Sequence, residues 1–142
     1  MRRVIELSHQ DALDIVEAIR TEVERRGEAA TIAVCDRHGE LHAYLRMDGA
    51  RMSVGPIAMN KAFTAGREEV PSGSVGEAAR EYGFPVTNFG DLRFLGWPGG
   101  LPIEVDGAVI GAVGVSGLAD EDDIAMAELG LSVLAGRFPE EA

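Results

Sequence analysis

A lysine beside a stripe of small residues is the first position in this sequence that could do chemistry. Lys61 lies one position from that stripe, in a segment whose apolar spacing predicts a helix. Two interpretations remain open, because the side chain can extend along apolar surface to solvent or point into a pocket. A buried ammonium needs an acceptor or an anionic ligand, so a pocket lysine would favour a small carboxylate. The stripe consists of Ala58, Ala62 and Ala65.

Two polar side chains are candidates for the surroundings of this lysine. Asp48 follows a predicted strand and precedes Gly49, so it is either the acceptor for Lys61 or only a turn residue. Thr64 belongs to the predicted helix of Lys61 and would present a hydroxyl beside it. Ser116 has no evident His or Asp partner that would activate a nucleophile, and it is interpreted as a turn residue.

The three histidines and the single cysteine do not predict a metal centre. The sequence contains no H-x-H, H-E-x-x-H or C-x-x-C spacing, so a zinc site is not expected and the metal prediction is none. His38 lies in a predicted turn, whereas His42 projects from a strand as a core or interface histidine. Cys35 alternates onto a strand face that we expect to be buried. The acidic run 120–123 lacks the spacing of a calcium loop and is predicted to begin a helix.

Composition excludes several classes of partner. The 142 residues suffice for one domain, 1–142, with a core that needs no disulfide. A formal net charge of −11 disfavours binding to nucleic acid and to anionic membrane surfaces. No apolar run approaches the roughly 20 residues of a membrane helix, and the first residues lack the apolar core of a signal peptide. We therefore expect a cytoplasmic protein, in agreement with its single cysteine.

The first half of the chain predicts the element order αββαα. Ser8 and Asp11 resemble a capping box at the start of a first helix. A hairpin follows, with its turn at residues 36–39. Ser53 is predicted to cap the helix that carries Lys61, and "SVGEAAREYG" predicts a shorter helix.

The second half of the chain predicts a loop and then ββα. Breaker residues are dense in the loop 84–100. Asp106-Gly107 predicts a tight antiparallel hairpin between strands 101–105 and 108–115. Residues on both faces of strand 108–115 are apolar, so both faces of the sheet must be covered, and a single helical layer would leave one face for a second subunit. The expected class is α/β (α+β), in the order αββααββα.

Five motifs in a fixed order give the sequence a family resemblance. They are "RMDGA", "KAFTA", "GGLPI", "DGAVIGAVGVSG" and "DEDDIA", beginning at residues 46, 61, 99, 106 and 120. Together they resemble the GlcG/HbpS family of haem-binding proteins, which includes the C-terminal domain of PduO-type cobalamin adenosyltransferases. The resemblance implies a profilin-like fold, in which helices flank an antiparallel sheet. It also implies assembly as a homo-oligomer.

The resemblance further implies where a ligand would bind. The "KAFTA" motif carries Lys61, while Gly99 and Gly100 match a family turn whose backbone N–H groups would receive an anionic group. We therefore expect the ligand pocket where the helix of Lys61 meets the Asp48-Gly49 turn and this glycine turn.

Haem is the cofactor that the family resemblance suggests. An N-terminal histidine has been proposed as the axial ligand in PduO-type relatives, and His9 is the matching residue here. The other interpretation of His9 is a solvated residue in the first turn of a helix.

Two functional hypotheses remain. The first is a small-molecule-binding protein, with haem as one possible ligand, in an auxiliary or sensing role. The alternative is an enzyme that acts on a small carboxylate or hydroxylated metabolite, with Lys61 and Asp48 as proton-transfer or anion-anchoring groups. The absence of a recognisable nucleophile–base pair favours binding.

Overall fold

A computed structural model describes residues 1–137 and shows a mixed α/β fold in the predicted order αββααββα. One short 3₁₀ helix, Val86–Phe89, interrupts the segment predicted as a loop. The helices and strands are α1 His9–Arg25, β1 Thr31–Asp36, β2 Leu41–Arg46, α2 Val54–Glu68, α3 Ser72–Tyr82, β3 Gly100–Val105, β4 Ala108–Ser116 and α4 Asp120–Ser132.

The four strands form one antiparallel sheet in the order β2-β1-β4-β3. The predicted hairpin between β3 and β4 is confirmed. Its two turn residues, Asp106 and Gly107, have positive φ angles of 50° and 78°, as a tight turn between twisted strands requires. In the centre of the sheet Thr31 of β1 pairs with Ser116 of β4, so the start of one strand lies beside the end of the other.

Helices cover both faces of the sheet. On one face, large aliphatic side chains of β1 and β4 pack against α1 and α4. On the other face, small side chains of the same strands pack against α2. The requirement that both faces be covered is therefore met within one chain, and no second subunit is needed for it. The small-residue cluster comprises Ala33, Cys35, Ala58, Ala62, Ala65 and Ala112.

The contact between α2 and β4 is unusually close. A Cβ atom at Gly114 would lie 2.2 Å from the carbonyl oxygen of Ala58 and 2.7 Å from the backbone nitrogen of Ala62. Only glycine leaves room for the helix backbone at that separation. The helix therefore lies directly on the strand, and the long side chain of Lys61 reaches the end of β4.

The two predicted helix caps have different outcomes. Ser8 is the N-cap of α1, because its Oγ accepts a hydrogen bond of 3.0 Å from the backbone nitrogen of Asp11. The prediction for Ser53 is wrong, since this residue already has helical angles and its side chain makes no cap bond. Helical turns precede it, with the backbone nitrogen of Val54 donating to the carbonyl of Arg51.

Candidate functional site

The side chain of Lys61 is buried between α2 and the end of β4. It is only 3% exposed, which excludes the interpretation in which it reaches solvent. Its Nζ donates hydrogen bonds of 2.9 Å to the carbonyl oxygen of Val115 and 2.9 Å to Oδ2 of Asp123. A buried ammonium is stable only with such partners.

Asp123, in the first turn of α4, is the acceptor for Lys61. Its side chain is 3% exposed, and its second carboxylate oxygen accepts a hydrogen bond of 3.1 Å from the backbone nitrogen of Leu118. Burial raises the pKa of the Asp123 carboxyl above its usual value, and the Lys61 ammonium opposes that rise.

The expected pairing of Lys61 with Asp48 is therefore wrong. Asp48 is exposed, in the turn after β2, whereas the first turn of α4 comes to the end of β4, where the ammonium lies. The sequence did contain a signal for Asp123. This residue falls at helical spacing with the other buried residues of α4, which are Met126, Ala127 and Gly130.

An open cavity of about 300 Å³ lies against this ion pair. Its wall combines two cations and two carboxylates with apolar side chains and one hydroxyl. Trp97, which is 59% exposed, forms part of the wall. The lining residues are Ala29, Gly49, Ala50, Arg51, Val54, Ile57, Lys61, Trp97, Ser116, Gly117, Leu118, Asp120 and Asp123.

The predicted glycine turn lies beside Lys61, and one of its two N–H groups is not available to an anion. A Cβ atom at Gly99 would lie 2.9 Å from Lys61 Nζ, so this glycine makes room for the ammonium. The backbone nitrogen of Gly100 already donates to Ser72 Oγ at 2.9 Å. That N–H group is therefore occupied by the fold.

Thr64 does not accompany Lys61 into the cavity. Its Oγ1 accepts a hydrogen bond of 3.1 Å from the backbone nitrogen of Leu95 and donates one of 3.4 Å to the carbonyl of Arg93. The hydroxyl thus holds the 93–95 segment.

Of the residues predicted for the site, the structure brings together Lys61, Gly99 and the neighbours of Asp48. The prediction of the pocket did not include Arg51, Trp97 and Asp120, which lie in the cavity wall.

The remaining reactive groups lie outside this cavity. Cys35 is buried, its Sγ lies 3.3 Å from the carbonyl of Ala62, and burial raises the pKa of its thiol to about 12. His9 begins α1 and is exposed, as is His38. His42 is half-buried, with an Nδ1 atom that has no hydrogen-bond partner. Within residues 1–137 no cluster of three or more His, Cys, Asp or Glu side chains could hold a metal ion.

Neither of two cavities has the lining that haem iron requires. A second cavity, of about 340 Å³, lies between β3 and the C-terminal end of α4. Iron is held by His, Cys, Met or Tyr, and neither wall contains one of these residue types. The wall of the second cavity comprises Pro102, Ile103, Glu104, Val105, Leu131, Leu134, Ala135 and Arg137.

His9 and the Lys61 cavity lie at opposite ends of α4. Arg137, beyond the C-terminal end of this helix, contacts Asp11 at 2.7 Å, two residues from His9. Asp123 is in the first turn of the helix, which places the two regions roughly 14 Å or more apart along its axis. Haem ligation by His9 and ligand binding at Lys61 would therefore take place at two separate sites.

None of the helices within residues 1–137 has the length and apolar character that a membrane crossing requires.

Comparison with known proteins confirms the family resemblance. A family model with the description "Haem degrading protein HbpS-like" matches residues 7–132. Protein GlcG of Escherichia coli K12 is 36% identical over 124 residues, which are 82% of this chain and 85% of that protein. The crystal structure of Klebsiella pneumoniae ORFY has a TM-score of 0.89 at 27% identity and covers 97% of each chain. A double mutant of Streptomyces reticuli HbpS has a TM-score of 0.85 at 28% identity, over 95% of this chain and 91% of that one. This chain belongs to the HbpS-like family.

Proposed function

We propose that this protein binds a small anionic molecule, in an auxiliary or sensing role, and that the binding site is the Lys61 cavity. The observation that carries the proposal is the bonding of the Lys61 ammonium. It donates to Val115 and Asp123, and an ammonium has three protons. One donor is therefore left for a ligand at the wall of a cavity of about 300 Å³, the lower end of the range of small-molecule sites.

Lys61 acts in this proposal as a fixed positive charge. Its Nζ forms a buried ion pair of 2.9 Å with Asp123, and this pair would have to be broken before the amine could attack a carbonyl. Asp123 is in turn held by two hydrogen bonds, from Lys61 and from the backbone of Leu118. This arrangement supports binding over the enzyme hypothesis, in which Lys61 and Asp48 are proton-transfer or anion-anchoring groups for a small carboxylate or hydroxylated metabolite.

Trp97 provides a direct test, because it is the single tryptophan of the chain and lines the cavity. We expect L-lactate to change its fluorescence saturably in the wild-type protein. In Lys61→Met the dissociation constant should rise by about tenfold or more, as loss of a charged hydrogen bond implies.

Thr64→Val is the matched control for this titration. It changes the same helix one turn away but removes a hydroxyl that faces the 93–95 segment, so its affinity should stay within about twofold of wild type. Circular dichroism establishes that both variants are folded. Equal affinity of folded Lys61→Met and wild type would refute the assignment of the site.

Haem binding is a second candidate function. The family description supports it, and His9 is exposed at the start of α1. Arg137 lies at the same end of the molecule and lines a largely apolar cavity, where a guanidinium suits a haem carboxylate. Bound haem would supply redox-active iron. The net charge of −11 opposes a dianionic porphyrin, so we expect modest affinity.

A haemin titration tests this second candidate. A Soret band that develops in wild type and in His38→Ala but not in His9→Ala would support His9 as the axial ligand. His38 is the control because it is an exposed histidine in the turn between β1 and β2. Indistinguishable titrations of His9→Ala and wild type would refute the role of this residue.

We also propose that the protein assembles as a homo-oligomer. Helices of the same chain already cover both faces of the sheet, so an uncovered sheet face does not support assembly. The support comes from apolar side chains that are exposed elsewhere on the surface. Light scattering that gives only a 15.1 kDa monomer at micromolar concentration would refute assembly. The exposed apolar side chains that support assembly include Met52, Tyr82, Leu92 and Trp97, which are 78%, 74%, 86% and 59% exposed.

A further inference from the structure

The charges around the Lys61 cavity restrict the kind of anion that it can accept. Its wall carries two cations, Lys61 and Arg51, and two carboxylates, Asp120 and Asp123. The formal charges of the wall therefore cancel. A multiply charged anion such as inorganic phosphate would meet two carboxylates as well as the two cations, and like charges at this range are repulsive. The cavity is suited to a ligand with no more than one negative charge.

Asp120 and Asp123 differ in what they can offer to a ligand. Asp123 is already bonded to Lys61 and to the backbone of Leu118. Asp120, the first residue of α4, is exposed and forms no ion pair with another residue in the range 1–137. Because Asp120 lines the cavity, its carboxylate is an acceptor available to a ligand. Asp120 lies three residues before Asp123 in the first turn of α4, and both residues line the same cavity as Lys61.

One hydroxyl at the end of the sheet adds to this polar side of the cavity, and a second lies next to it on the neighbouring strand. Ser116 is 4% exposed and lines the wall. Thr31 is its direct partner on β1 and is fully buried, yet its Oγ1 has no hydrogen-bond partner. Side chains directly opposite on paired strands have Cβ atoms about 4.5–5.5 Å apart. A buried hydroxyl without a partner is the kind of group whose missing bond a ligand or an ordered water supplies, and Thr31 reaches the cavity only through its neighbour Ser116.

We infer that the ligand is a small monocarboxylate that carries a hydrogen-bond donor, a hydroxyl or an ammonium, close to its carboxylate. This inference rests on the proposed function, because it requires that Lys61 anchor the carboxylate. Arg51 assists at the rim, and the donor group of the ligand faces Asp120 and Ser116. A simple fatty acid would offer Asp120 no donor and would leave the Ser116 hydroxyl, whose residue is 4% exposed, without a partner, which costs affinity.

Titration of Trp97 fluorescence with four compounds tests the inference. The probes are propionate, L-lactate, L-alanine and inorganic phosphate, which differ in their donor group and in their charge. We expect lactate or alanine to bind about tenfold more tightly than propionate, and phosphate to bind least. Preference for lactate would identify the donor as a hydroxyl, and preference for alanine would identify it as an ammonium.

Substitutions in the cavity wall test which residues accept a hydrogen bond from the donor group of the ligand. In Asp120→Asn we expect the preference over propionate to fall by about fivefold or more if alanine is the tighter ligand. If lactate is the tighter ligand, Ser116→Ala should reduce its preference over propionate in the same way. Glu121→Gln removes a neighbouring exposed carboxylate outside the cavity wall and should leave the preference unchanged.

Two results would overturn the inference in distinguishable ways. If propionate binds as tightly as lactate and alanine, and Lys61→Met abolishes that binding, the donor requirement is wrong but the proposed function stands. If no carboxylate changes the fluorescence or the melting temperature of the wild-type protein, both are wrong. An unchanged preference in both Asp120→Asn and Ser116→Ala would overturn the roles of these residues.

Discussion

Removal of one member of the buried ion pair should destabilise the protein far more than loss of a surface pair. Lys61 Nζ and Asp123 Oδ2 are 2.9 Å apart, and each side chain is 3% exposed. Asp123→Asn leaves the ammonium buried without a counter-charge, at a cost of about 3–5 kcal/mol. Arg137 and Asp14 are also 2.9 Å apart, but their side chains are 40% and 34% exposed. Asp14→Asn should therefore cost about 1 kcal/mol or less.

Urea denaturation followed by far-ultraviolet circular dichroism measures both costs. A domain of this size has roughly 5–15 kcal/mol of stability, so Asp123→Asn should still fold and show a clearly lower midpoint. The double variant Lys61→Met/Asp123→Leu should recover most of the loss, because a buried pair can be replaced by apolar side chains with little cost. Equal midpoints for Asp123→Asn and Asp14→Asn, or strictly additive effects in the double variant, would refute the reasoning.

Three further predictions follow from the same region. Burial raises the pKa of Asp123 from an ordinary value of 3.8 and the Lys61 charge opposes this, so Lys61→Met should raise it further. A carboxyl with a raised pKa in the folded state stabilises below the unfolded pKa and loses that contribution as pH rises. The unfolding free energy of Lys61→Met should hence fall relative to wild type as pH rises above the ordinary carboxyl pKa of 3.8, and parallel pH profiles would contradict this. Gly99→Ala adds a Cβ atom 2.9 Å from Lys61 Nζ at a φ of +117° and should cost about 1–3 kcal/mol in urea denaturation. Gly107→Ala, which has a φ of +78° and no atom within 4 Å of the added Cβ, should cost less. Burial raises the pKa of the Cys35 thiol to about 12, so iodoacetamide should label it at pH 8 only after unfolding, and prompt labelling of the native protein would show that the thiol is accessible.

Local signals in the sequence predicted the fold well. The Asp106-Gly107 turn and the Ser8 cap depend on residues a few positions apart, and the structure confirms both. The order of helices and strands also follows from such signals. Ser53 shows the limit of this reasoning, because the preceding residues already form helical turns and make a side-chain cap unnecessary.

The site was only partly predictable because its key contact is not local. Lys61 was identified from its own helix, but its partner Asp123 lies 62 residues away in the chain. Their contact depends on where α4 begins relative to the end of β4. Asp48, nearer in sequence, was the more obvious acceptor, yet the turn that carries it leaves it exposed.

The close packing of α2 on β4 has a consequence for how the ligand preference of such a protein could diverge. Because the backbone of α2 occupies the space that a side chain at Gly114 would fill, the helix that carries Lys61 has almost no freedom to move relative to β4. Arg51 and Trp97 lie in connecting segments and are exposed, so they can be replaced with little effect on the core. New specificities would therefore arise at the rim, over an anchoring ion pair that stays the same.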